Sequence, residues 1–403
     1  MDARRPRLLH EEPLIGPDCP GGLAIHAQEA KAAYYRGKQC LRVENGLVTL
    51  TNPRLAALSS GRIEVDIAVE GPAYPGVAFR IADRFNYELM YSQPHSSDQW
   101  DALQYDPVFH GSNTWQIYHG PKFQKAAVIP TGEWYTLVVE FGGWAASIHL
   151  PGQESLTVEG LAMPQSAGGI GVWTYLPAYF CNMRVYAGEP GSETATPRTS
   201  EWPEAARVSD TATLDATASD TAASGTRSAG TSASGASSHG MAVDKTDAGR
   251  RPDEPRTTVK ARSQSLPPGT ITAWLAEGYG VVHCEPHGIL NLNRYFPLSL
   301  GEVTLTRRFT LHSESKVTMN FGLSDDLTLS IDGLPLYTST KPFRPTAGAE
   351  GRGYIKFDTC KMSRSLCSGT HVLSVKLRVA EPFGWGLALS LTGDGLALLP
   401  PGL

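Results

Sequence analysis

Apolar residues alternate with polar ones along short runs through most of the chain. Examples are Arg62-Ile-Glu-Val-Asp-Ile-Ala-Val, Trp134-Tyr-Thr-Leu-Val-Val-Glu-Phe and Val303-Thr-Leu-Thr-Arg-Arg-Phe-Thr-Leu. A period of two is typical of strands with one buried and one wet face, and Gly, Pro, Asn and Asp separate the runs. Asp332-Gly333, between two such runs, predicts a tight hairpin turn. The chain is therefore predicted to be all-β, with antiparallel strands packed as sandwiches.

The alternating pattern covers two regions and is missing from the stretch between them. Positions 189–266 consist mainly of Ser, Thr, Ala, Gly and Asp, with Trp202 as the one aromatic residue, which predicts a long disordered linker. We expect an N-terminal arm at 1–20, a first jelly-roll β-sandwich at 21–188 and a second at 267–403. Such a linker would hold the sandwiches at an effective concentration rather than in a fixed geometry.

Composition narrows the classes of partner. The chain has 35 Lys and Arg against 40 Asp and Glu, a net charge of −5, which disfavours nucleic acid as a partner. No apolar run is long enough to span a membrane, and the N-terminus lacks the apolar core of a signal peptide. We therefore expect a cytoplasmic protein without a membrane partner. Dinucleotide, phosphate-loop and zinc-hydrolase motifs are missing from the sequence, so no cofactor is expected.

The stretch from Gly61 to Val185 carries an ordered set of short motifs. They include Gly61-Arg-Ile-Glu-Val-Asp, Gly76-Val-Ala-Phe-Arg, Tyr87-Glu-Leu-Met-Tyr-Ser-Gln-Pro-His and Gly168-Gly-Ile-Gly-Val-Trp. In these motifs the chain resembles the concanavalin A-like lectin and glucanase sandwich of the keto-disaccharide hydrolase, or family-16-like, type. The resemblance implies a saccharide ligand or a glycoside substrate. The family pattern has a basic residue where Gln93 stands.

The C-terminal region resembles a galactose-binding-like or protective-antigen-like β-sandwich. The motifs are Phe321-Gly-Leu-Ser-Asp-Asp-Leu-Thr-Leu-Ser-Ile-Asp-Gly and Phe383-Gly-Trp-Gly-Leu-Ala-Leu. Such domains bind sugars or pack against a catalytic neighbour. The resemblance makes Asp325 and Asp326 candidate calcium ligands, since hard carboxylate oxygens suit this ion, but two carboxylates do not complete its coordination shell. An ordinary acidic turn is the competing interpretation.

Three acidic residues near the start of the Gly61 to Val185 stretch form a separate chemical pattern. Glu64, Asp66 and Glu70 share one face of an extended strand, and paired carboxylates can act as nucleophile and general acid of a glycosidase. The spacing of Glu70 breaks the pattern of true family-16 glucanases. The competing interpretation is a solvated outer face opposite an apolar one.

Polar and aromatic residues between Arg80 and His119 are the candidates for a ligand site. Aromatic faces stack on the C–H faces of sugar rings, while amide, imidazole and carboxylate groups supply directional hydrogen bonds. The polar loop from Pro94 to Asp101 lies at a sandwich edge, so His95 and Asp101 are also the candidate acid–base pair of an enzyme. The candidate ligand-binding residues are Arg80, His95, Asp101, Gln104, Tyr105, Tyr118 and His119.

Alternation also assigns these aromatic residues to faces. If Trp115 to Tyr118 is a strand, Trp115 faces the core together with Ile117, and Tyr118 faces outward. Tyr87 and Tyr91 are expected to face inward by the same rule. The outward residues would then line a concave sheet face.

The leading hypothesis is a lectin-like protein that binds a saccharide or a similar polyhydroxylated molecule on the concave face of the first sandwich. The alternative is an enzyme that uses the same face. It would be a glycoside or keto-glycoside hydrolase, or a lyase, isomerase or cyclase acting on a small-molecule metabolite. A scaffold that binds protein through exposed sheet edges is a third interpretation.

Overall fold

The computed structural model describes residues 7–19, 22–188, 265–341, 343–344 and 352–402, and these residues confirm the all-β prediction. Positions 189–264 of the predicted linker and 1–6 of the predicted arm lie outside the described residues. The helices in the described ranges are short 3-10 turns, and none is long or apolar enough to cross a membrane. They are Pro53–Leu55, Pro94–Ser96, Leu292–Arg294 and Leu298–Leu300.

The first sandwich is one continuous antiparallel sheet of 13 strands that curls over its own core. The strands are β1 (Leu8–Glu12), β2 (Leu23–Tyr35), β3 (Lys38–Leu50), β4 (Gly61–Ala68), β5 (Gly76–Asp83), β6 (Asn86–Ser92), β7 (Leu103–Tyr105), β8 (Gln124–Lys125), β9 (Tyr135–Gly142), β10 (Ala145–His149), β11 (Leu156–Glu159), β12 (Gly169–Thr174) and β13 (Ala178–Ala187). Their order is β11-β10-β9-β4-β13-β3-β12-β5-β6-β7-β8, with β1 beside β13 and β2 beside β3. Because β11 comes into contact with β7, the inner face of the sheet encloses one core.

Strand β4 shows how the alternating sequence builds this sheet. Ile63, Val65 and Ile67 are fully buried, whereas the charged residues between them stay partly exposed. Each buried side chain of this size contributes about 1.5–3 kcal/mol relative to an exposed one. A shift of one residue would expose all three, which fixes the register.

The acidic residues of the glycosidase-like pattern lie on the outer face of this strand and just beyond it. Glu64 lies 2.9 Å from an Arg62 nitrogen, and Asp66 accepts a hydrogen bond from Lys38 Nζ at 2.8 Å. Burial opposes ionisation of Asp66, but its hydrogen bonds outweigh burial and lower its pKa. Glu70 is exposed. The structure therefore favours the solvated outer face over a catalytic carboxylate pair.

The stretch expected as an N-terminal arm takes part in the first sandwich. Strand β1 pairs with β13, with Glu12 opposite Met183. Leu14 is 1% exposed and belongs to the main core cluster. Residues 7–19 are thus held by a strand pairing and a buried anchor.

The second sandwich packs a sheet of seven strands against a sheet of four. The strands are β14 (Ala273–Ala276), β15 (Gly280–His283), β16 (Leu290–Asn291), β17 (Glu302–Leu311), β18 (Ser315–Leu323), β19 (Asp325–Ile331), β20 (Leu334–Lys341), β21 (Cys360–Leu366), β22 (Gly369–Arg378), β23 (Gly386–Thr392) and β24 (Leu396–Leu398). The larger sheet runs β15-β14-β17-β22-β19-β20 with β24 beside β17, and the smaller one runs β16-β23-β18-β21. The Asp332-Gly333 turn joins β19 to β20 as predicted, with φ of 51° and 77°.

The two sandwiches pack directly against each other. Ile289, Ile355 and Ala388 of the second sandwich are buried in the same apolar cluster as Ile117 and Tyr118 of the first. The backbones are joined as well, because Ile355 N donates to the Gln116 carbonyl at 3.0 Å. The geometry between the sandwiches is fixed by these contacts. The expectation of an arrangement set by the linker alone is therefore wrong.

Candidate functional site

A cleft with a volume of about 100 Å³ is lined by residues of both sandwiches. Its first wall is formed by aromatic residues of β6 and β12 and of the loops beside them. Its second wall comes from the segments around Phe343, Tyr354 and Phe383. Polar groups of the loops after β6 and β7 lie at its floor.

The first wall begins with two aromatic side chains on neighbouring parts of the sheet. Tyr91 and Trp173 have ring centroids 5.8 Å apart. They point away from the core side of the sheet, where Met90 and Val172 are buried. Tyr91 and Tyr87 were expected to face inward. They are buried instead in a separate cluster on the opposite face, because loops cover that face.

Tyr74 and Tyr175 extend this wall toward solvent. The Tyr74 ring lies 5.9 Å from that of Tyr91 and 5.8 Å from that of Tyr175. The two loops are joined by a hydrogen bond from Tyr74 N to the Tyr175 carbonyl at 3.0 Å. Because Tyr175 is 50% exposed, its ring is accessible from outside the cleft.

Trp115 faces the second wall. Its ring centroid lies 5.4 Å from that of Phe343, 5.6 Å from that of Phe383 and 5.8 Å from that of Tyr354. The expected strand from Trp115 to Tyr118 is instead a turn, in which Ile117 N donates to the Thr114 carbonyl at 2.8 Å. Alternation does not apply in a turn, so Trp115 lines the cleft and Tyr118 is buried.

Asp106 lies at the floor of the cleft and is fully buried. Its Oδ1 accepts a hydrogen bond from Thr114 N at 2.6 Å, and its Oδ2 accepts one from Asn113 Nδ2 at 2.7 Å. Burial raises the pKa of this carboxyl to about 7, and the hydrogen bonds offset only part of that effect. A group with this pKa can give or take a proton near neutral pH.

The predicted pair His95 and Asp101 lies at the edge of the cleft. Asp101 is 2% exposed, and its Oδ2 lies 3.0 Å from Arg352 Nη2 of the second sandwich. The His95 ring meets that of Tyr74 edge-on at 4.8 Å, and desolvation lowers the pKa of His95. Both predicted residues therefore contact a side chain that lines the cleft.

Gln104 makes its hydrogen bonds inside the first sandwich, whereas His119 contacts the second. Gln104 lines the cleft, but its Nε2 donates to the carbonyls of Tyr105 and Tyr118, each at 2.7 Å. His119 Nε2 lies 2.9 Å from the Ile355 carbonyl, to which it donates, and its ring stacks on Tyr354 at 4.6 Å. Their hydrogen-bonding groups are therefore used within the chain.

Arg80, Tyr105 and Tyr118 are not brought to the cleft. Arg80 has a left-handed backbone, with φ of 48°, which interrupts the alternation of β5 and turns its side chain inward. Its guanidinium donates to the carbonyls of Ser59 and Gly143. Tyr105 is equally buried and donates its hydroxyl proton to Glu88 Oε2 at 2.7 Å. These three residues are buried and do not line the cleft.

The candidate calcium ligands do not converge. Asp325 is fully buried and accepts hydrogen bonds from Ala380 N at 2.6 Å and Glu381 N at 2.8 Å. Asp326, the next residue of the same strand, is partly exposed and pairs with Arg378. The described part of the chain contains no group of three or more His, Cys, Asp or Glu side chains that could hold a metal ion.

Several residues of the cleft were missed by the sequence analysis. Trp173 belongs to the Gly-rich motif, and Tyr74 and Tyr175 lie in the loops beside strands, which are the signals that could have indicated them. Arg352 and Tyr354 carry no comparable signal, because they come from the other sandwich.

Comparisons with known proteins were made for the whole chain. No protein-family model and no curated protein matches the sequence. Among solved structures, a carbohydrate binding module from Bacillus subtilis is 18% identical with a TM-score of 0.31, and the match covers 40% of this chain and 92% of the module. A β-glucanase from Bacillus licheniformis is 10% identical with a TM-score of 0.30, and the match covers 45% of this chain and 99% of the glucanase. A Bacillus subtilis protein with a galectin-like fold is 10% identical with a TM-score of 0.32, and the match covers 45% of this chain and 96% of that protein.

These structures are a carbohydrate binding module, a glucanase and a protein with a galectin-like fold. The keto-disaccharide hydrolase type and the galactose-binding-like type stay predictions.

Proposed function

We propose that the cleft binds a saccharide or a similar polyhydroxylated molecule. The observation that carries this proposal is the convergence of aromatic rings on one concave site with polar groups at its floor. Tyr175 and Tyr354 contribute aromatic rings to the lining and Tyr175 is half exposed, while Gln93 and Asp106 contribute buried polar groups. Sugar rings present apolar C–H faces to aromatic rings and hydroxyl groups to amides and carboxyls, so the two parts of the cleft match the two parts of a sugar.

Both sandwiches contribute to this site. Arg352 and Tyr354 come from the second sandwich, and Tyr354 accepts a hydrogen bond from Gln124 Nε2 of the first at 3.0 Å. A ligand in the cleft would contact both walls at once. The functional unit under this proposal is therefore the full chain rather than the first sandwich alone.

Titration calorimetry tests the proposal. The full chain is titrated with the methyl glycosides of glucose, galactose, mannose and xylose and with the disaccharides maltose, cellobiose and lactose. We expect Tyr175→Ala and Tyr354→Ala to weaken binding roughly 3- to 10-fold, because each removes one aromatic contact. Tyr34→Ala is the matched control, since Tyr34 is 73% exposed on β2 and does not line the cleft. No binding in the millimolar range, or an equal loss in the control, would contradict the proposal.

A second candidate function is an enzyme that uses the same cleft. The observation that favours it is Asp106, whose pKa is raised to about 7 at the cleft floor and which suits general acid–base work better than the ion-paired Asp101. Turnover of keto-disaccharides or plain glycosides would be lost in Asp106→Asn by roughly 100-fold or more and would change near pH 7 in the wild type. No turnover of either substrate class would contradict the hydrolase version, and the lyase, isomerase or cyclase version would then be tested on small polyhydroxylated metabolites.

The expected partner is a saccharide, and the expected location is the cytoplasm. A saccharide is the partner that the cleft chemistry matches, whereas the net charge of −5 disfavours nucleic acid. The location in the cytoplasm stays a prediction, which fractionation of the producing cells would test.

A further inference from the structure

One polar atom of the cleft stands apart from the others. Gln93 follows β6, lines the cleft and is 2% exposed. Its Oε1 is buried and has no hydrogen-bond partner among the residues that the structure describes. Buried amide oxygens are nearly always paired, so an unpaired one at the floor of a cleft needs an explanation.

The orientation of this amide is fixed by its other end. Gln93 Nε2 donates to the Asp101 carbonyl at 2.6 Å, and Gln93 N donates to the Ala102 carbonyl at 2.7 Å. A carbonyl oxygen only accepts, so the amide nitrogen must point toward Asp101. Flipping the amide would place two acceptors against each other. The unpaired group is therefore an oxygen, which needs a donor.

No neighbouring polar group among the described residues donates to this oxygen. The Gln104 amide nitrogen already donates to two carbonyls, and its oxygen accepts from Gln124 Nε2. The carboxyl of Asp106 accepts from the loop that follows it, and Nη2 of Arg352 lies against Asp101. The place of a donor to Gln93 Oε1 is therefore open to a group from outside the chain.

We infer that Gln93 is a specificity-determining residue of the cleft, whose Oε1 accepts a hydrogen bond from one hydroxyl of the bound sugar. The inference rests on the proposed function and deepens it by naming the sugar group that the site selects. A hydroxyl can donate to this oxygen, whereas a carboxylate at the same position has no proton to give. The site therefore requires a hydroxyl at one position of the sugar and rejects a carboxylate there.

The test compares deoxy sugars on the wild type and on two variants. The probes are methyl β-glucoside and methyl β-galactoside, their 2-, 3-, 4- and 6-deoxy derivatives, and methyl β-glucuronide and methyl β-galacturonide, titrated into the full chain. For the wild type we expect one deoxy position to weaken binding about tenfold or more, since the buried oxygen then stays unpaired. The uronides, which carry a carboxylate in place of the 6-hydroxymethyl group, should bind as weakly as the 6-deoxy sugars where position 6 is the required one.

The variants separate a ligand contact from a structural role. In Gln93→Met, which removes the acceptor, the parent sugar weakens and the same deoxy change costs less than twofold. Gln93→Lys keeps a donor for the Asp101 carbonyl but has no acceptor, so it also loses sensitivity at that position. Gln99→Met, an exposed residue of the same loop, is the control and keeps the wild-type pattern. A variant that only loosened the fold would weaken all sugars alike and leave the deoxy pattern intact.

Each result decides the matter in one direction. If no deoxy position matters in the wild type, or if the same position matters equally in Gln93→Met, the inference about Gln93 is overturned. Should the binding in those cases still depend on Tyr175 and Tyr354, the proposed function stands without it. If neither methyl glycoside binds the wild type, the inference is overturned together with the saccharide proposal for these sugars.

Discussion

Arg352 of the second sandwich places Nη2 3.0 Å from Oδ2 of Asp101 in the first, at the edge of the cleft. The carboxylate is 2% exposed and the arginine side chain 31%. An ion pair with one buried partner is costly to break, because the remaining charge is left without compensation. This pair therefore links the stability of the interface to the shape of the site.

Arg352→Ala should lower the free energy of unfolding by about 1–3 kcal/mol, less than for a fully buried pair because Arg352 is partly in water. Urea unfolding of the full chain measures it. The double variant Asp101→Asn/Arg352→Ala should lose less free energy of unfolding than Asp101→Asn and Arg352→Ala lose together. Arg54→Ala, at an exposed arginine, is the control and should change stability by less than about 0.5 kcal/mol. Strict additivity of the two losses would contradict the pairing.

Asp106 should make stability depend on pH in a predictable direction. Its folded-state pKa of about 7 lies above the ordinary value of 3.8, so the folded state holds a proton that the unfolded state has released. Wild-type stability should therefore fall as pH rises between these values. Asp106→Asn has no carboxyl at this position, so its stability should not show this fall. Between pH 5 and pH 8, the free energy of unfolding of the wild type should fall relative to that of Asp106→Asn by about 2 kcal/mol. Urea unfolding at both pH values measures it, and a shift in the opposite direction would show that Asp106 is ionised in the fold.

The His371 and Asp332 pair should also make stability fall as pH rises, but through an imidazole that is charged in the fold. His371 Nδ1 lies 2.7 Å from Asp332 Oδ2, and burial lowers the pKa of the imidazole less than its hydrogen bonds raise it above 6.5. This stabilisation is complete below pH 6.5 and is lost as pH rises through the folded-state pKa. Asp332→Asn keeps the turn, since Asn-Gly also suits it, and should be less stable than the wild type by about 0.5 kcal/mol at pH 5.5. Thermal unfolding at pH 5.5 and pH 8.5 tests this, and an equal difference at both would rule out the charged pair.

Gly322 of β18 allows the segment that carries Tyr354 to pack closely. A Cβ at Gly322 would collide with the backbone of Lys356. Gly322→Ala should destabilise the protein by about 1–3 kcal/mol and weaken saccharide binding, because the segment must move away. Gly71→Ala is the control, since a Cβ there meets open space, and it should be nearly neutral. Thermal unfolding and calorimetry of both variants measure the two effects.

Alternation predicted the strands well where the backbone is regular. In β4 the buried and exposed positions follow the sequence, because a pleated strand sends successive side chains to opposite faces. It did not predict Arg80, whose positive φ breaks the pleat, or Trp115, which lies in a turn. Tyr87 and Tyr91 were assigned to the wrong face for a related reason. Both faces of the sheet are covered there, and a period of two does not say which covered face a residue takes.

The candidate site could be predicted only in part. The loop with His95 and Asp101 does lie beside the cleft, because polar side chains at a sandwich edge are seldom explained by packing. The opposite wall could not be predicted, since Arg352 and Tyr354 are more than 170 residues further along the chain from Tyr175. No local pattern encodes which distant segment will cover a sheet face.

Tyr354 forms part of the cleft wall, and the next residue, Ile355, is buried in the core that both sandwiches share. A hinge between the halves would have to pull this side chain out of its apolar surroundings. The cleft is consequently preorganised, so ligand binding loses little of the conformational entropy that domain closure would cost. Residence time in such a cleft is set by the contacts that the ligand breaks on leaving.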